Sequence, residues 1–110
     1  MELSKESKED ILKFQQIQQQ LQMIMMQKQD LQTQISEVEN AIGELKKIKD
    51  KDAYEVVGNI MVKKSKEELE KSLKEKKDLL KLRISTIEKQ QNNLAKHASD
   101  LQEKLSKQIK

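Results

Sequence analysis

The sequence predicts a helix-dominated fold: a long antiparallel two-helix coiled coil with a small β-hairpin at its centre. Three observations carry that prediction. Apolar residues recur at alternating steps of three and four through both halves of the chain. The two halves are nearly equal in length. Between them, residues 54–62 abandon the pattern for strand-tolerant residues around a Gly58-Asn59 pair, a two-residue turn that suits a tight hairpin. The boundaries that follow are a first arm over residues 4–49, a hairpin over 53–63 and a second arm over 66–109, all within a single domain spanning 1–110.

The first arm opens at Ser4 or Ser7, either of which can cap a helix, with Glu6, Glu9 and Asp10 placed for the positive end of the dipole. Phe14, Ile17, Leu21, Ile24, Lys28, Leu31, Ile35, Val38, Ile42 and Leu45 then form a heptad seam, interrupted once by Lys28. The seam runs unbroken through the Gln15–Gln22 region, so that tract reads as solvated helix rather than low-complexity sequence. Gly43 lies off the seam and weakens the helix by up to roughly 1 kcal/mol. Lys46, Lys47 and Lys49 favour a helix C-terminus by their charge.

In the connector, Gly58-Asn59 places Val57 opposite Ile60, Val56 opposite Met61 and Glu55 opposite Val62. Gly accepts a positive φ freely and Asn tolerates one. One face then carries Val57, Ile60 and Val62; the other carries Tyr54, Val56 and Met61. A lone two-stranded hairpin cannot bury two apolar faces, so it needs partners, and strands from other subunits are the simplest ones.

The second arm begins at a capping box, Ser65 with Glu68. Its seam runs Glu70, Leu73, Lys77, Leu80, Ile84, Ile87, Gln91, Leu94, Ala98, Leu101 and Leu105. Four i,i+4 pairs support the helix: Glu67 with Lys71, Glu70 with Lys74, Asp100 with Lys104 and Glu103 with Lys107. Laid antiparallel, the seams match layer by layer: Phe14 with Leu101, Ile17 with Ala98, Leu21 with Leu94, Leu31 with Ile84, Ile35 with Leu80 and Ile42 with Leu73. Ile24 meets Gln91, Lys28 meets Ile87 and Val38 meets Lys77, layers from which long side chains can snorkel. About 45 residues per arm would reach roughly 65 Å.

At the open end the match fails: Leu105 faces Asp10 and Gln108 faces Ser7. Leu3, Ile11, Leu12, Leu105 and Ile109 gather there with only partial burial expected, which marks either an interaction site or fraying ends. Met23, Met25 and Met26 fall mostly off the seam. Gap filling along the seam is their first reading and an adaptable binding surface the second.

Composition narrows the chemistry. Of 110 residues 37% are charged; there is no Pro, Cys or Trp, and no apolar run long enough to span a membrane. With no Cys there is neither a disulfide nor a thiolate, which accords with a reducing cytoplasm. His97 is the only histidine and lacks partners for a zinc site. No Gly-rich loop precedes a helix to cradle a phosphate, and the carboxylates read as helix surface. Neither a catalytic constellation nor a cofactor is therefore expected. Residues 1–50 hold seven Lys against nine acids, and residues 51–110 fifteen Lys or Arg against ten. That basic half could suit an acidic partner, but solvated helix faces explain it first, and neither nucleic acid nor membrane is expected as a partner.

The order of helix, hairpin reading Tyr54-Glu55-Val56-Val57-Gly58-Asn59-Ile60-Met61-Val62, a Lys63-Lys64 step, a capped second helix and Leu82-Arg83-Ile84-Ser85-Thr86-Ile87-Glu88-Lys89-Gln90 closely resembles the archaeal prefoldin β-subunit family. The resemblance covers almost the whole chain, and one hairpin rather than two points to the β type. It implies a heterohexamer of two α and four β subunits whose hairpins join in an intersubunit β-barrel. It further implies an ATP-independent cytoplasmic chaperone that holds unfolded proteins at the coiled-coil tips and passes them to a group II chaperonin. Carried over, Tyr54, Val56, Val57, Gly58, Asn59, Ile60, Met61 and Val62 would be assembly surface. Leu3, Ile11, Leu12, Leu101, Leu105 and Ile109 would be client-binding candidates. The alternative is a structural coiled-coil adaptor that assembles through the hairpin and holds no client. A nucleic-acid-binding arm, whose affinity would fall steeply with salt, is the third possibility.

Overall fold

The structure, a computed structural model, describes residues 4–108. Helix α1 spans Lys5–Lys47, strand β1 Asp52–Val57, strand β2 Ile60–Ser65 and helix α2 Lys66–Gln108. Each helix has 43 residues, so the equal arms expected from the sequence are present, the first ending two residues early. The chain forms two compact units: residues 30–84 around the hairpin, and an end unit of the segments up to Gln29 and from Ser85.

In the end unit, Ser4 is the cap of α1. Its Oγ accepts the backbone N–H of Ser7 at 3.0 Å, and its carbonyl accepts the first helical bond from Lys8. Ser7, the other candidate cap, packs inward instead. Ile17, Ile24, Leu101 and Leu105 are buried and Phe14, Leu21, Ile87, Leu94 and Ala98 half-buried, while the residues between them face solvent, as a helix–helix seam requires. The antiparallel register shows directly where Ser7 Oγ donates to Gln108 Oε1 at 2.6 Å. Lys28, the seam's one cation, is only half-buried and its ammonium lies 3.9 Å from Glu88, so it leaves the layer by snorkelling.

In the hairpin unit, Leu31, Val38, Ile42, Leu45, Leu69 and Leu80 are the buried seam. Lys77 leaves its layer as Lys28 does, to Glu39 at 3.3 Å. Leu45, Leu69 and Ala53 form a cluster, with Leu73 against it, that ties the helix ends to β1. β1 and β2 pair antiparallel from Asp52↔Ser65 to Val57↔Ile60, the register expected from the turn, with a ladder somewhat longer than residues 53–63. Gly58 has φ 61°, and among the described residues no non-Gly residue has a positive φ. Only the first turn residue therefore uses the left-handed region, the II′ pattern rather than the I′ pattern that would also employ Asn59.

Ser65 ends β2 and caps α2, its Oγ accepting the backbone N–H of Glu68 at 3.1 Å. The next residue closes the other helix. The Lys66 ammonium donates to the carbonyl of Ile48 at 2.7 Å and that of Lys46 at 3.4 Å. Carbonyls at the C-terminal end of α1 have no helical partner, and a cation there satisfies them and opposes the dipole. The sequence suggested Lys46, Lys47 and Lys49 for this role; the residue that makes the bonds is one that the hairpin brings back.

Candidate binding surfaces

The hairpin presents the first surface. Tyr54, Val56, Val57, Ile60 and Met61 are all half or more exposed, and Val62 is half-buried. Alternation explains why so little is covered. Ala53, Glu55, Val57, Ile60, Val62 and Lys64 share one face; Ala53 meets the helix ends, but Val57 and Ile60 lie beyond them. On the opposite face stand Tyr54, Val56 and Met61. Lys64 with Glu55 (2.7 Å) and Lys63 with Asp52 (3.4 Å) neutralise the hairpin's charges near its base, leaving the turn end apolar. Among the described residues the sheet has two strands, so each strand also has one edge of backbone donors and acceptors outside the ladder. Beside the hairpin, a groove of about 800 Å³ is lined by Leu45, Ile48, Tyr54, Val56, Leu69 and Leu73 among others. In general, free strand edges beside an exposed apolar patch are a template on which a further strand can pair.

The open end of the helix pair is the second surface, and here the structure corrects the sequence. Partial burial was expected for Leu105 because Asp10 faces it; instead Leu105 is 9% exposed and Leu101 8%. The polar layers beyond them close the end. Ser4 Oγ donates to Ser7 Oγ at 3.0 Å, which donates on to Gln108. Asp10 is buried, and its Oδ2 lies 3.1 Å from the Lys104 ammonium without a well-directed hydrogen bond. Lys104 also holds Glu6 at 3.0 Å. The Glu6 carboxylate, followed by that of Asp10, raises the Lys104 pKa above its ordinary value by favouring the charged ammonium. Lys104 was expected to pair with Asp100 along its own helix; it reaches across to α1 instead, where one of two carboxylates is already desolvated. Glu70 with Lys74 and Glu103 with Lys107 do form as expected.

Of the remaining tip candidates, Ile11 is half-buried and Leu12 exposed, while Leu3 and Ile109 lie outside the described residues. Met23, Met25 and Met26 are each well exposed, so they do not fill gaps in the seam. His97 is exposed too. Among the described residues no group of three or more His, Cys, Asp or Glu could hold a metal ion, and no helix is long and apolar enough to cross a membrane.

Comparison with known proteins agrees with this architecture. The family described as prefoldin subunit matches residues 8–110. The prefoldin subunit beta of Archaeoglobus fulgidus is 38% identical over 96 residues, covering 86% of this chain and 83% of that protein. The corresponding subunit of Saccharolobus islandicus is 34% identical over 108 residues, covering 97% and 86%. Among solved structures, the prefoldin beta subunit from Thermococcus strain KS-1 superposes with a TM-score of 0.89 at 27% identity, covering 96% of this chain and 94% of that one. With the family matched over residues 8–110, two helices joined through one exposed hairpin place the chain in a class of chaperone subunits. The chain belongs to the prefoldin family, and within it to the archaeal β type.

Proposed function

We propose that this chain is the β-type subunit of an ATP-independent holdase, assembled as two α and four β subunits. The hairpins of neighbouring subunits join through their free edges and apolar faces into a β-barrel. The open ends of the helix pairs hold unfolded proteins and release them to a group II chaperonin in the cytoplasm. The observation that carries the reading is the bare apolar hairpin: in a chain whose other apolar residues mostly lie in a seam, this patch stays exposed, which supports a role in assembly. Holding would be multivalent, several weak apolar contacts from different subunits acting on one client, so that the sum is firm and still reversible. Ile11 and Leu12 are the tip residues already accessible in the described chain; Leu101 and Leu105 belong to the same surface once the helix ends part.

Burial of Leu101 and Leu105 favours one rival, an adaptor that assembles through the hairpin and holds nothing. One experiment separates the two. A chemically unfolded test protein is diluted into buffer with the assembled protein, and light scattering follows its aggregation. The holdase suppresses scattering, and removal of residues 105–110 weakens the suppression while the assembly mass stays unchanged. Undiminished scattering in the presence of the intact assembly would leave the adaptor.

A further inference from the structure

The end of the helix pair combines two features that pull in opposite directions. Its last apolar layers, Leu101 and Leu105, are shut between the helices, whereas a surface that holds apolar segments has to be reachable. What shuts them is polar and marginal. Asp10 is buried with a carboxylate oxygen that receives no well-directed hydrogen bond, and among the described residues the cation that balances its charge is Lys104, which it shares with Glu6. The outermost described layer is a hydroxyl relay from Ser4 through Ser7 to Gln108. A buried charge is tolerable only while its counter-ion stays in place; without it, the cheapest relief is to hydrate the carboxylate by parting the helices. Helix ends are also where local opening costs least.

We propose that these residues form a latch, and that the client-binding surface is the seam itself, Leu101 and Leu105 with Ile11 and Leu12 at its rim, uncovered when the Lys104 clasp on Asp10 and Glu6 lets go. This deepens the holdase reading and rests on it. The partner is an extended apolar segment of an unfolded chain, which replaces the opposite helix as the cover for the two leucines. The open form is a minor state, on the order of 0.1–10% of the population, which a client shifts by binding it alone. The arrangement gives the seam two competing occupants, the chain's own helix and the client. It therefore lets the end stay closed, and resist association with other tips, when no client is present.

The latch makes predictions of opposite sign for two neighbouring substitutions. Lys104→Ala strands the buried Asp10 charge and favours the open end. Asp10→Leu gives Leu105 an apolar partner and favours the closed one. In the assembled protein, half-suppression of test-protein aggregation should need on the order of threefold less Lys104→Ala protein, the scale of an exposed ion pair, and several-fold more Asp10→Leu protein than wild type. Amide exchange around Leu101–Leu105 should quicken in the first and slow in the second. Because the chain has no cysteine, Ser7→Cys with Gln108→Cys can be bridged by a short, reductant-cleavable bismaleimide. The bridged form should lose roughly tenfold in holding, and cleavage should restore it, which removes any question of misfolding. If Asp10→Leu holds clients better than wild type, or the bridged form holds as well as the cleaved one, tip apolarity rather than opening governs capture and the latch is wrong. If the wild type fails to hold the test protein at all, the holdase reading falls with it.

Discussion

Replacing Val57 and Ile60 together by lysine tests the hairpin where it matters most. In the single chain Val57 is 50% and Ile60 62% exposed. Full burial of such a side chain is worth about 1.5–3 kcal/mol, so subunit contacts stand to gain roughly 1–1.5 kcal/mol from each and about 2–3 kcal/mol from the pair. That corresponds to roughly a 30- to 150-fold loss of association per hairpin, before any cost of bringing lysine charges into the contact. The two residues face each other across the strands, so two lysines also repel locally. A Val57→Lys, Ile60→Glu variant keeps the cross-strand pair favourable and isolates the effect on assembly. Sedimentation velocity of the chain mixed with an α subunit, across a dilution series, reads the midpoint of assembly; far-UV circular dichroism confirms that the helices persist. Both variants should remain folded and shift the midpoint by at least tenfold. Unchanged midpoints in both would mean that the apolar turn end is not an assembly surface, however exposed it is in the single chain.

Three further predictions concern stability. Gly43→Ala should stabilise the chain by about 0.5–1 kcal/mol in urea unfolding, because an added Cβ meets nothing within 4 Å and the substitution removes backbone freedom from the unfolded state. Lys66→Met removes the donor to the carbonyls of Lys46 and Ile48 and should cost about 1 kcal/mol, with Lys66→Arg recovering most of it. On the alkaline side, the lysine half of the Lys104 clasp should let go only at high pH. Its folded pKa is raised, so its contribution is whole below the ordinary lysine value of about 10.4 and disappears as pH climbs through the folded value. A fluorophore beside Gln108 should report loosening in that range for wild type and no such transition for Lys104→Met.

The seam was legible because burial between helices imposes a period, and every seam position from Phe14 to Leu45 and from Glu70 to Leu105 is buried or half-buried. The hairpin register was legible because one glycine has to sit at the turn, and Gly58 does. Its exposure followed from counting apolar faces. What escaped were interactions between residues far apart in sequence. Lys104 had an acid at the right helical spacing, Asp100, and nothing local indicates that Asp10, some ninety positions away, would attract it more strongly. Lys66 looked like an ordinary first-turn residue, and only the return of the hairpin places its ammonium at the end of α1. Leu105 read as unpartnered because the layer rule counts apolar partners; a buried carboxylate held by a cation can cover a leucine too. The methionines were misjudged on composition, although their positions beside Leu21 and Ile24 already set them off the seam.

The junction at Ser65 and Lys66 has a consequence for how this chain can change length. No linker separates β2 from α2: one residue is both the last of the strand and the cap of the helix, and the next both starts α2 and seals α1. Strand and helix are thus keyed like a shaft to its gear. One inserted residue at this point would turn the face of α2 by about 100° and carry Leu69 and Leu73 away from Ala53 and Leu45. Residues 48–51, which join α1 to β1, belong to neither a helix nor a strand; Lys66 holds the carbonyls of Ile48 and Lys51, and the chain between them, residues 49–50, can lengthen without rotating either helix. Related chains that gain or lose single residues near the hairpin should do so on that side, and an engineered insertion scan would separate the slack connection from the keyed one.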